Sequence, residues 1–184
     1  VLPADKVDVV KRLQAEGRVV ARFTGKMEYG PRALGHRSIL YQTTDPSIND
    51  WLNTHLLRTE FMPFAPATLQ EYADECFDGL DGARDSARYM TITFNCTEKM
   101  RQQSPGVVHV DGTARPQILD PDTAPDFYKI GMAYHKLTGI PSLINTSFNM
   151  HEEPIIRTPE EAVESVKQAE LDVLAIGDYI ATRA

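Results

Sequence analysis

The segment RVVARFTGKMEYGPRALGHRSILY, residues 18–41, carries the pattern that decides the fold. Its first part, Arg18–Thr24, is rich in β-forming residues and stops at a glycine, so it predicts a strand. Residues Ser38–Tyr41 predict a second, short strand. The residues between them, 25–38, form a loop punctuated by glycines.

This loop carries three basic residues, Lys26, Arg32 and Arg37, against one acid, Glu28. Glycines let the backbone approach a ligand closely, and a guanidinium group matches two oxygens of a phosphate or carboxylate at once. Two interpretations stay open: a site for an oxyanion, or a solvated basic loop whose glycines only supply turns. The spacing fits neither a P-loop nor a dinucleotide fingerprint.

Elsewhere, alternating helical and strand-like patterns predict an α/β or α+β domain around one twisted sheet. Helices are predicted over Asp5–Ala15, Pro46–Leu57, Asp126–Thr138 and Pro159–Ala169, and strands over Tyr89–Phe94, Val107–Val110, Gln117–Leu119, Pro141–Asn145 and Val173–Ile176. The proline-rich stretch at 61–69 is expected to interrupt regular structure, and Gly79–Ser86 and Lys99–Gly106 are expected to be mobile loops.

Composition narrows the class of protein. The 184 residues have a net charge of −7, which disfavours broad attraction to nucleic acid phosphates. No apolar run is long enough for a membrane span, so a cytoplasmic protein without a membrane partner is expected. Cys76 and Cys96 lack the spacing of metal or redox sites and are expected to be packed thiols, and the histidines show no metal-like spacing, so no metal site is predicted.

The segment INTSFN, residues 144–149, closes a strand-like run with polar side chains: Asn145, Thr146, Ser147 and Asn149. Each carries donor and acceptor groups, and ligands of open α/β sheets bind where strands end. These side chains could orient a planar, amide-like substrate. The alternative is an Asx or Ser/Thr turn that only caps the strand exit.

Two further segments contain candidate cations. In HVDGTARPQ, residues 109–117, His109 and Arg115 bracket a glycine turn; His109 could transfer protons near neutral pH, although a histidine beside a turn is more often structural. In RTEFMPFAPATL, residues 58–69, rigid prolines would hold Arg58 near a site. The alternative for this second segment is a packed loop with a surface ion pair.

Taken in order, MEYGPRALGHRSIL, RTEFMPFAPATL, HVDGTARPQ, INTSFN and EPIIRTPEEAV resemble the C-terminal domain of the NodU/CmcH carbamoyltransferases. The resemblance implies one YrdC-like domain over residues 1–184, with a twisted mixed sheet. It implies that the domain binds ATP with Mg²⁺ and carbamoyl phosphate and forms carbamoyl-adenylate. It also implies a partner, the larger N-terminal domain of the same protein, which passes the carbamoyl group to a substrate hydroxyl and is absent from this chain.

The resemblance assigns catalytic roles by matching Arg32 and Arg37 to the family's GPRALGxRS motif, and Ser147 and Asn149 to an SxN pair of the wider YrdC-like group. A second set is expected to bind substrate or nucleotide: Lys26, Arg58, His109, Arg115, Asn145 and Thr146.

One position departs from the wider group, which commonly has Lys-x-Arg where this chain reads Leu56-Leu57-Arg58. Either Lys26 or another base substitutes, or Arg58 is less central, or phosphate affinity is lower.

Two other functions also stay open: a threonylcarbamoyl-adenylate synthase, and a YrdC-like module that binds RNA. The net negative charge counts against RNA binding.

Overall fold

A mixed β-sheet of eight strands runs through the molecule. The computed structural model describes residues 2–3, 6–58 and 63–183. Within them the main sheet comprises β1 (Leu2–Pro3), β2 (Val20–Phe23), β3 (Arg37–Gln42), β4 (Ala65–Leu69), β8 (Gln117–Leu119), β9 (Ser142–Ser147), β10 (Val173–Ile176) and β11 (Tyr179–Thr182), and a small antiparallel sheet comprises β5 (Phe77–Asp78), β6 (Phe94–Cys96) and β7 (Thr113–Ala114). The α-helices are α1 (Lys6–Ala15), α2 (Ile48–His55), α3 (Ala73–Cys76), α4 (Arg84–Ala87), α5 (Glu98–Gln103), α6 (Pro125–Thr138) and α7 (Pro159–Gln168).

The strand order of the main sheet is β1-β11-β10-β2-β3-β9-β4-β8. β10 is parallel to β2, and β4 is parallel to β8, whereas β2, β3, β9 and β4 alternate in direction. As a result, β2 and β9 end at the same edge of the sheet at which β3, β4 and β8 begin. The segments that the sequence marks as polar or basic therefore meet at this one edge.

The two faces of the sheet bury separate hydrophobic clusters. Leu40 faces α1 and α6, whose buried residues include Leu13 and Ile130. The next residue back, Ile39, points to the opposite face, because side chains alternate along a strand. There it joins a cluster with Leu52 of α2 and with residues of α7 and of the small sheet.

Most of the predicted elements are confirmed. α1, α2, α6 and α7 coincide with the four predicted helices to within a few residues, apart from Asp5, which lies outside the described residues. The strand predictions at 18–24, 38–41, 117–119, 141–145 and 173–176 are also confirmed. Together with the strand directions, these elements establish the predicted α/β class with a mixed sheet.

The expectation that residues 61–69 lack regular structure is wrong for its second half, which forms β4. Pro66 is tolerated there because pairing with β8 begins only at Ala67, so this part of β4 has a neighbour on one side alone, β9. Residues 61 and 62 lie outside the described residues.

Three other predictions fail near the small sheet. Residues 89–93 are not a strand, because Tyr89 N and Thr91 Oγ1 both donate to the Ser86 carbonyl in a turn that follows α4. Residues 107–110 are not a strand either, since Val107 belongs to a 3-10 turn, Pro105–Val107, and Val110 lies in the next turn. The predicted loop 99–106 is largely α5, whose N-cap Thr97 accepts a hydrogen bond from Met100 N.

Both cysteines are buried, as expected for packed thiols. Burial raises the pKa of Cys76 and of Cys96 to about 11. At pH 8 we therefore expect each thiol to react with a disulfide reagent about a hundredfold more slowly in the folded chain than in urea, since only the thiolate is nucleophilic. Absorbance of the released thiol measures this. Rapid labelling of the folded chain would contradict the burial of these side chains.

Candidate functional site

Six of the ten predicted site residues meet at one cavity of about 50 Å³, at the edge of the sheet where β9 ends. We call this cavity the arginine pocket, and it is bordered by Arg32, Arg58, Arg115, Asn145, Thr146 and Ser147. None of the described residues that line it is acidic. Three arginine side chains therefore border one small space that has no carboxylate in its described lining, an arrangement that suits an anionic ligand.

Arg58 and Arg115 are partly buried at this pocket. Arg58 donates from Nη2 to Thr146 Oγ1 at 3.1 Å, and its Cζ lies 5.1 Å from the centroid of the Phe64 ring. Burial lowers the pKa of Arg58, and burial together with the charge of Arg32 lowers the pKa of Arg115. Both side chains remain cationic at neutral pH, and a bound anion would offset the loss of hydration of both guanidinium groups and the repulsion between Arg115 and Arg32.

The loop that carries Arg32 is closed by Arg37 and Glu28. Arg37 donates to the carbonyls of Thr24, His36 and Gly25 at 2.7, 3.0 and 3.1 Å, and its Cζ lies 3.6 Å from the centroid of the Phe23 ring. Only 4% of Arg37 is exposed, so its guanidinium is committed to backbone oxygens and stays outside the arginine pocket.

Glu28 also holds this loop, but it accepts hydrogen bonds from backbone amides, whereas Arg37 donates to backbone carbonyls. Its Oε1 accepts hydrogen bonds from the backbone N–H groups of His36, Leu34 and Arg37 at 2.6, 2.7 and 3.2 Å. One carboxylate thus satisfies three amides of an irregular segment, which otherwise would have no partner in a sheet or helix. We call the paired contacts of Arg37 and Glu28 the loop clamp.

Gly35 anchors the same loop against α6. Its φ is +118°, and a Cβ atom there would lie 2.6 Å from Cδ1 of Phe127. The buried Arg22 donates to the Gly35 carbonyl, and burial lowers the pKa of Arg22 to about 10 despite the nearby Asp126 and Glu28. Only glycine fits a backbone that lies this close to a neighbouring ring.

Two buried amides lie behind the pocket. Gln117, which is 2% exposed, donates from Nε2 to the Leu34 carbonyl at 2.9 Å and accepts at Oε1 from Asn145 Nδ2 at 2.7 Å. Asn145 Nδ2 also donates to the Ala33 carbonyl at 3.0 Å. From the sequence, Gln117 is predicted only as the first residue of a strand and the last of the HVDGTARPQ segment; a glutamine in an otherwise apolar strand is the one signal of a further role.

Besides Arg37, three more of the predicted site residues lie outside the arginine pocket. Lys26 is exposed on the loop, and its carbonyl pairs with Nδ1 of His36 at 2.6 Å. His109 pairs through Nδ1 with Thr113 Oγ1 at 3.1 Å, and burial lowers its pKa, against the effect of Asp111. The amide of Asn149 donates to the backbone carbonyls of residues 150 and 153, both at 2.9 Å, so it stabilises the turn that follows β9.

A second, larger cavity of about 410 Å³ shares Pro31, Arg32, Met90 and Arg115 with the arginine pocket. We call it the outer cleft. It is also lined by Tyr29 and Tyr89, of which Tyr29 is fully exposed. Neither tyrosine is predicted from the sequence to belong to a site: Tyr29 is a lone aromatic residue in a loop, and Tyr89 is predicted to begin a strand.

Two negative findings apply to residues 2–3, 6–58 and 63–183. No group of three or more His, Cys, Asp or Glu side chains is placed to hold a metal ion. Likewise, no helix in this part of the chain combines the length and apolar character needed to cross a membrane.

Substitution of Gly35 by alanine tests the packing of the loop, with Gly30→Ala as the matched control. Both glycines have a similar positive φ, but nothing lies within 4 Å of a Cβ at Gly30. We expect Gly30→Ala to lower the free energy of unfolding by about 1–3 kcal/mol through backbone strain, and Gly35→Ala to cost about 1–3 kcal/mol more through the clash with Phe127. Urea unfolding measures both, and equal losses would contradict the close approach.

Substitution of Arg37 and Arg32 by alanine separates a residue that closes the loop from one that faces the pocket. Arg37→Ala removes the donor of the Thr24 and Gly25 carbonyls, whereas the His36 carbonyl still accepts from Thr24 N–H, so we expect the free energy of unfolding to fall by about 2–4 kcal/mol. Arg32→Ala should change it by less than about 0.5 kcal/mol, because Arg32 is exposed. The reverse order in thermal or urea unfolding would refute this division.

The chain matches known proteins over most of its length. A family model described as carbamoyltransferase C-terminus matches residues 11–183. Nodulation protein U from Azorhizobium caulinodans is 42% identical over 137 residues, which are 74% of this chain and 24% of that protein. The curated relatives that match over most of this chain are much longer, and the chain spans about a quarter to a third of their length.

Two solved structures share the fold. Full-length HypF in a phosphate- and nucleotide-bound form superposes with a TM-score of 0.68 at 19% identity, over 94% of this chain and 25% of HypF. A variant of P. abyssi Sua5 superposes with a TM-score of 0.58 at 12% identity, over 97% of this chain and 47% of Sua5. At such identities the likeness shows the fold alone, which is the predicted YrdC-like fold. The match of the family model over nearly the whole sequence confirms the predicted resemblance, and the chain belongs to the carbamoyltransferase C-terminal family.

Proposed function

We propose that this chain carries out the activation half of an O-carbamoyl transfer, forming carbamoyl-adenylate from carbamoyl phosphate and ATP. The observation that carries the proposal is the convergence of Arg32, Arg58 and Arg115 on one small cavity whose described lining contains no acid. Both substrates are phosphate esters or anhydrides, and both release an anion when they react. A cluster of fixed guanidinium groups stabilises the charge that develops on such leaving groups.

The reaction divides between two displacements. Water first converts carbamoyl phosphate to carbamate and phosphate. A carbamate oxygen then attacks the α-phosphorus of ATP, and pyrophosphate leaves. The arginines neutralise phosphoryl oxygens in both steps, while Thr146 and Ser147 offer hydroxyl groups at the same cavity. Mg²⁺ enters as the counterion of ATP.

The outer cleft suits the nucleoside part of ATP. Tyr29 and Tyr89 present exposed rings on which a purine can stack. Arg32 and Arg115 line both cavities, so an α-phosphate between them would join a base in the outer cleft to a carbamate in the arginine pocket. The bound nucleotide and phosphate of the HypF structure support this proposal by likeness of fold.

The missing lysine before Arg58 has a replacement in this scheme. The corresponding residue, Leu56, is 1% exposed and belongs to the hydrophobic core. Arg115 instead supplies a third cation at the pocket, whereas Lys26 does not line it. We therefore assign the role of the absent lysine to Arg115 and keep Arg58 as a central ligand.

The residues outside the arginine pocket take supporting roles. Arg37 and Asn149 hold the two segments that flank the pocket, the loop 24–37 and the turn after β9. His109, whose pKa is lowered by burial, would be neutral at pH 7 and thus available to accept a proton. Transfer of the carbamoyl group to an acceptor hydroxyl is assigned to the remainder of a longer protein, in line with the length of the relatives.

The other two functions receive less support. Membership of the carbamoyltransferase C-terminal family favours carbamoyl phosphate over the threonine and bicarbonate of a threonylcarbamoyl-adenylate synthase. An RNA-binding surface would need an extended basic face, whereas the three arginines converge on a cavity of about 50 Å³.

Pyrophosphate release tests the proposal. With ATP, Mg²⁺ and carbamoyl phosphate, we expect the chain to release pyrophosphate and to form a species with the mass of carbamoyl-adenylate. Arg32→Ala and Arg115→Ala should each lower kcat/KM about 10²–10³-fold, the usual effect of removing one group that stabilises transition-state charge.

The matched control is Arg183→Ala, because Arg183 is exposed beyond the end of β11, at the opposite edge of the sheet. This variant should keep the wild-type rate. Absence of ATP binding by calorimetry, or pyrophosphate release that needs bicarbonate and threonine in place of carbamoyl phosphate, would refute the proposed reaction.

A further inference from the structure

The two buried amides behind the arginine pocket have only one possible orientation. The Leu34 and Ala33 carbonyls can only accept hydrogen bonds, so Gln117 must turn its Nε2 to the former and Asn145 its Nδ2 to the latter. With its nitrogen so placed, Gln117 presents Oε1 to Asn145 Nδ2 at 2.7 Å. Turning either amide over would set an oxygen against a carbonyl oxygen.

This network leaves one acceptor over. Asn145 Oδ1 is buried and has no hydrogen-bond partner among the described residues, although Asn145 is 1% exposed and lines the arginine pocket. A buried acceptor without a donor costs about 1–3 kcal/mol, so we expect water or a ligand to supply the missing donor.

The arginines at the pocket are hydrogen-bond donors, in contrast to the acceptor of Asn145. Arg32, Arg58 and Arg115 are donors only, and they suit the oxygens of an anion. Asn145 belongs to the same lining, and its acceptor Oδ1 would be repelled by those oxygens but suits an N–H group. The cavity of about 50 Å³ has room for roughly three to five water-sized groups, which matches a group the size of a carbamoyl.

We infer that Asn145 Oδ1 accepts a hydrogen bond from the amino group of the carbamoyl moiety, and that it thereby selects carbamoyl phosphate against acyl phosphates of the same shape. Gln117 acts as a positioning residue, because it fixes the orientation of the Asn145 amide. This inference rests on the proposed function, since it requires that the arginine pocket bind the substrate.

Acetyl phosphate provides the matched probe. It has the size and charge of carbamoyl phosphate, but a methyl group replaces the amino group, so it offers no donor to Asn145. Isothermal titration calorimetry of the wild-type chain should give at least about tenfold tighter binding of carbamoyl phosphate than of acetyl phosphate, because a site built for a hydrogen bond rejects the analogue that lacks the donor.

Asn145→Ala should reduce this ratio to about one by weakening carbamoyl phosphate alone, while inorganic phosphate binds as in the wild type. A residue that only supported the pocket would weaken all three ligands together and leave the ratio unchanged. Gln117→Ala keeps the Asn145 oxygen but removes one of the two acceptors that hold its amide, leaving the Ala33 carbonyl, so its ratio should fall between those of the wild type and Asn145→Ala.

Equal wild-type affinities for carbamoyl and acetyl phosphate, or an unchanged affinity ratio in Asn145→Ala, would overturn the inference. If inorganic phosphate still binds in that case, the arginine pocket remains supported as an anion site. Failure of the wild type to bind any of the three ligands would overturn the proposed function and the inference with it. If Asn145→Ala does not fold, the wild-type ratio and the Gln117→Ala ratio decide the matter.

Discussion

The loop clamp is the interaction on which the rest of the site depends. A strand pair that turns at a wide loop leaves many backbone groups of that loop without partners in the sheet. Arg37 satisfies carbonyls at the base of the loop, and Glu28 satisfies amides farther along it. Two side chains of opposite charge thus replace the missing ladder, and Arg32 is presented from a backbone that is fixed on both sides.

The loop clamp also determines which charged side chains remain available at the arginine pocket. Glu28 is the only acid in the segment 25–38, and its Oε1 is engaged by backbone amides. It is therefore not used to neutralise Arg32. Among the described residues no carboxylate lines the pocket beside its guanidinium groups, and burial together with the charge of Arg32 lowers the pKa of Arg115. In the proposed function, a site that binds two different phosphate compounds gains from such an arrangement, because an internal ion pair would have to break before each ligand bound.

The sequence predicted the site best where polar or basic side chains lie at the ends of predicted strands. The polar residues of INTSFN and the glycine-rich loop both flank predicted strands, so their meeting at one edge follows from the α/β pattern. The sequence could not tell which basic residue faces the ligand. Arg32 and Arg37 have the same side chain in the same motif, but Arg37 begins β3 and turns back onto the carbonyls of its own loop. That choice depends on the path of the loop, which no periodicity encodes.

Other differences have the same origin in tertiary context. Pro66 signals a break, but an incompletely paired strand accommodates it. The small sheet escaped prediction because its strands, such as β5 (Phe77–Asp78), are too short to show alternation. The role of Gln117 was not predicted because it depends on a hydrogen bond to Asn145, 28 residues farther along the chain.

The two buried amides add a property that arginines alone cannot provide. Guanidinium groups attract any small oxyanion, and phosphate, bicarbonate and acyl phosphates are all small oxyanions. Discrimination among them needs a group that makes the wrong ligand costly, and a fixed acceptor does this because it is satisfied by an N–H and repelled by an oxygen.

The fixed orientation of the Asn145 amide is essential to this discrimination, since an amide free to rotate would present its NH₂ to an oxygen and lose selectivity. The backbone carbonyls of Ala33 and Leu34 prevent that rotation, and both belong to the loop that the clamp holds. Affinity at the pocket and selectivity behind it therefore depend on the same loop conformation.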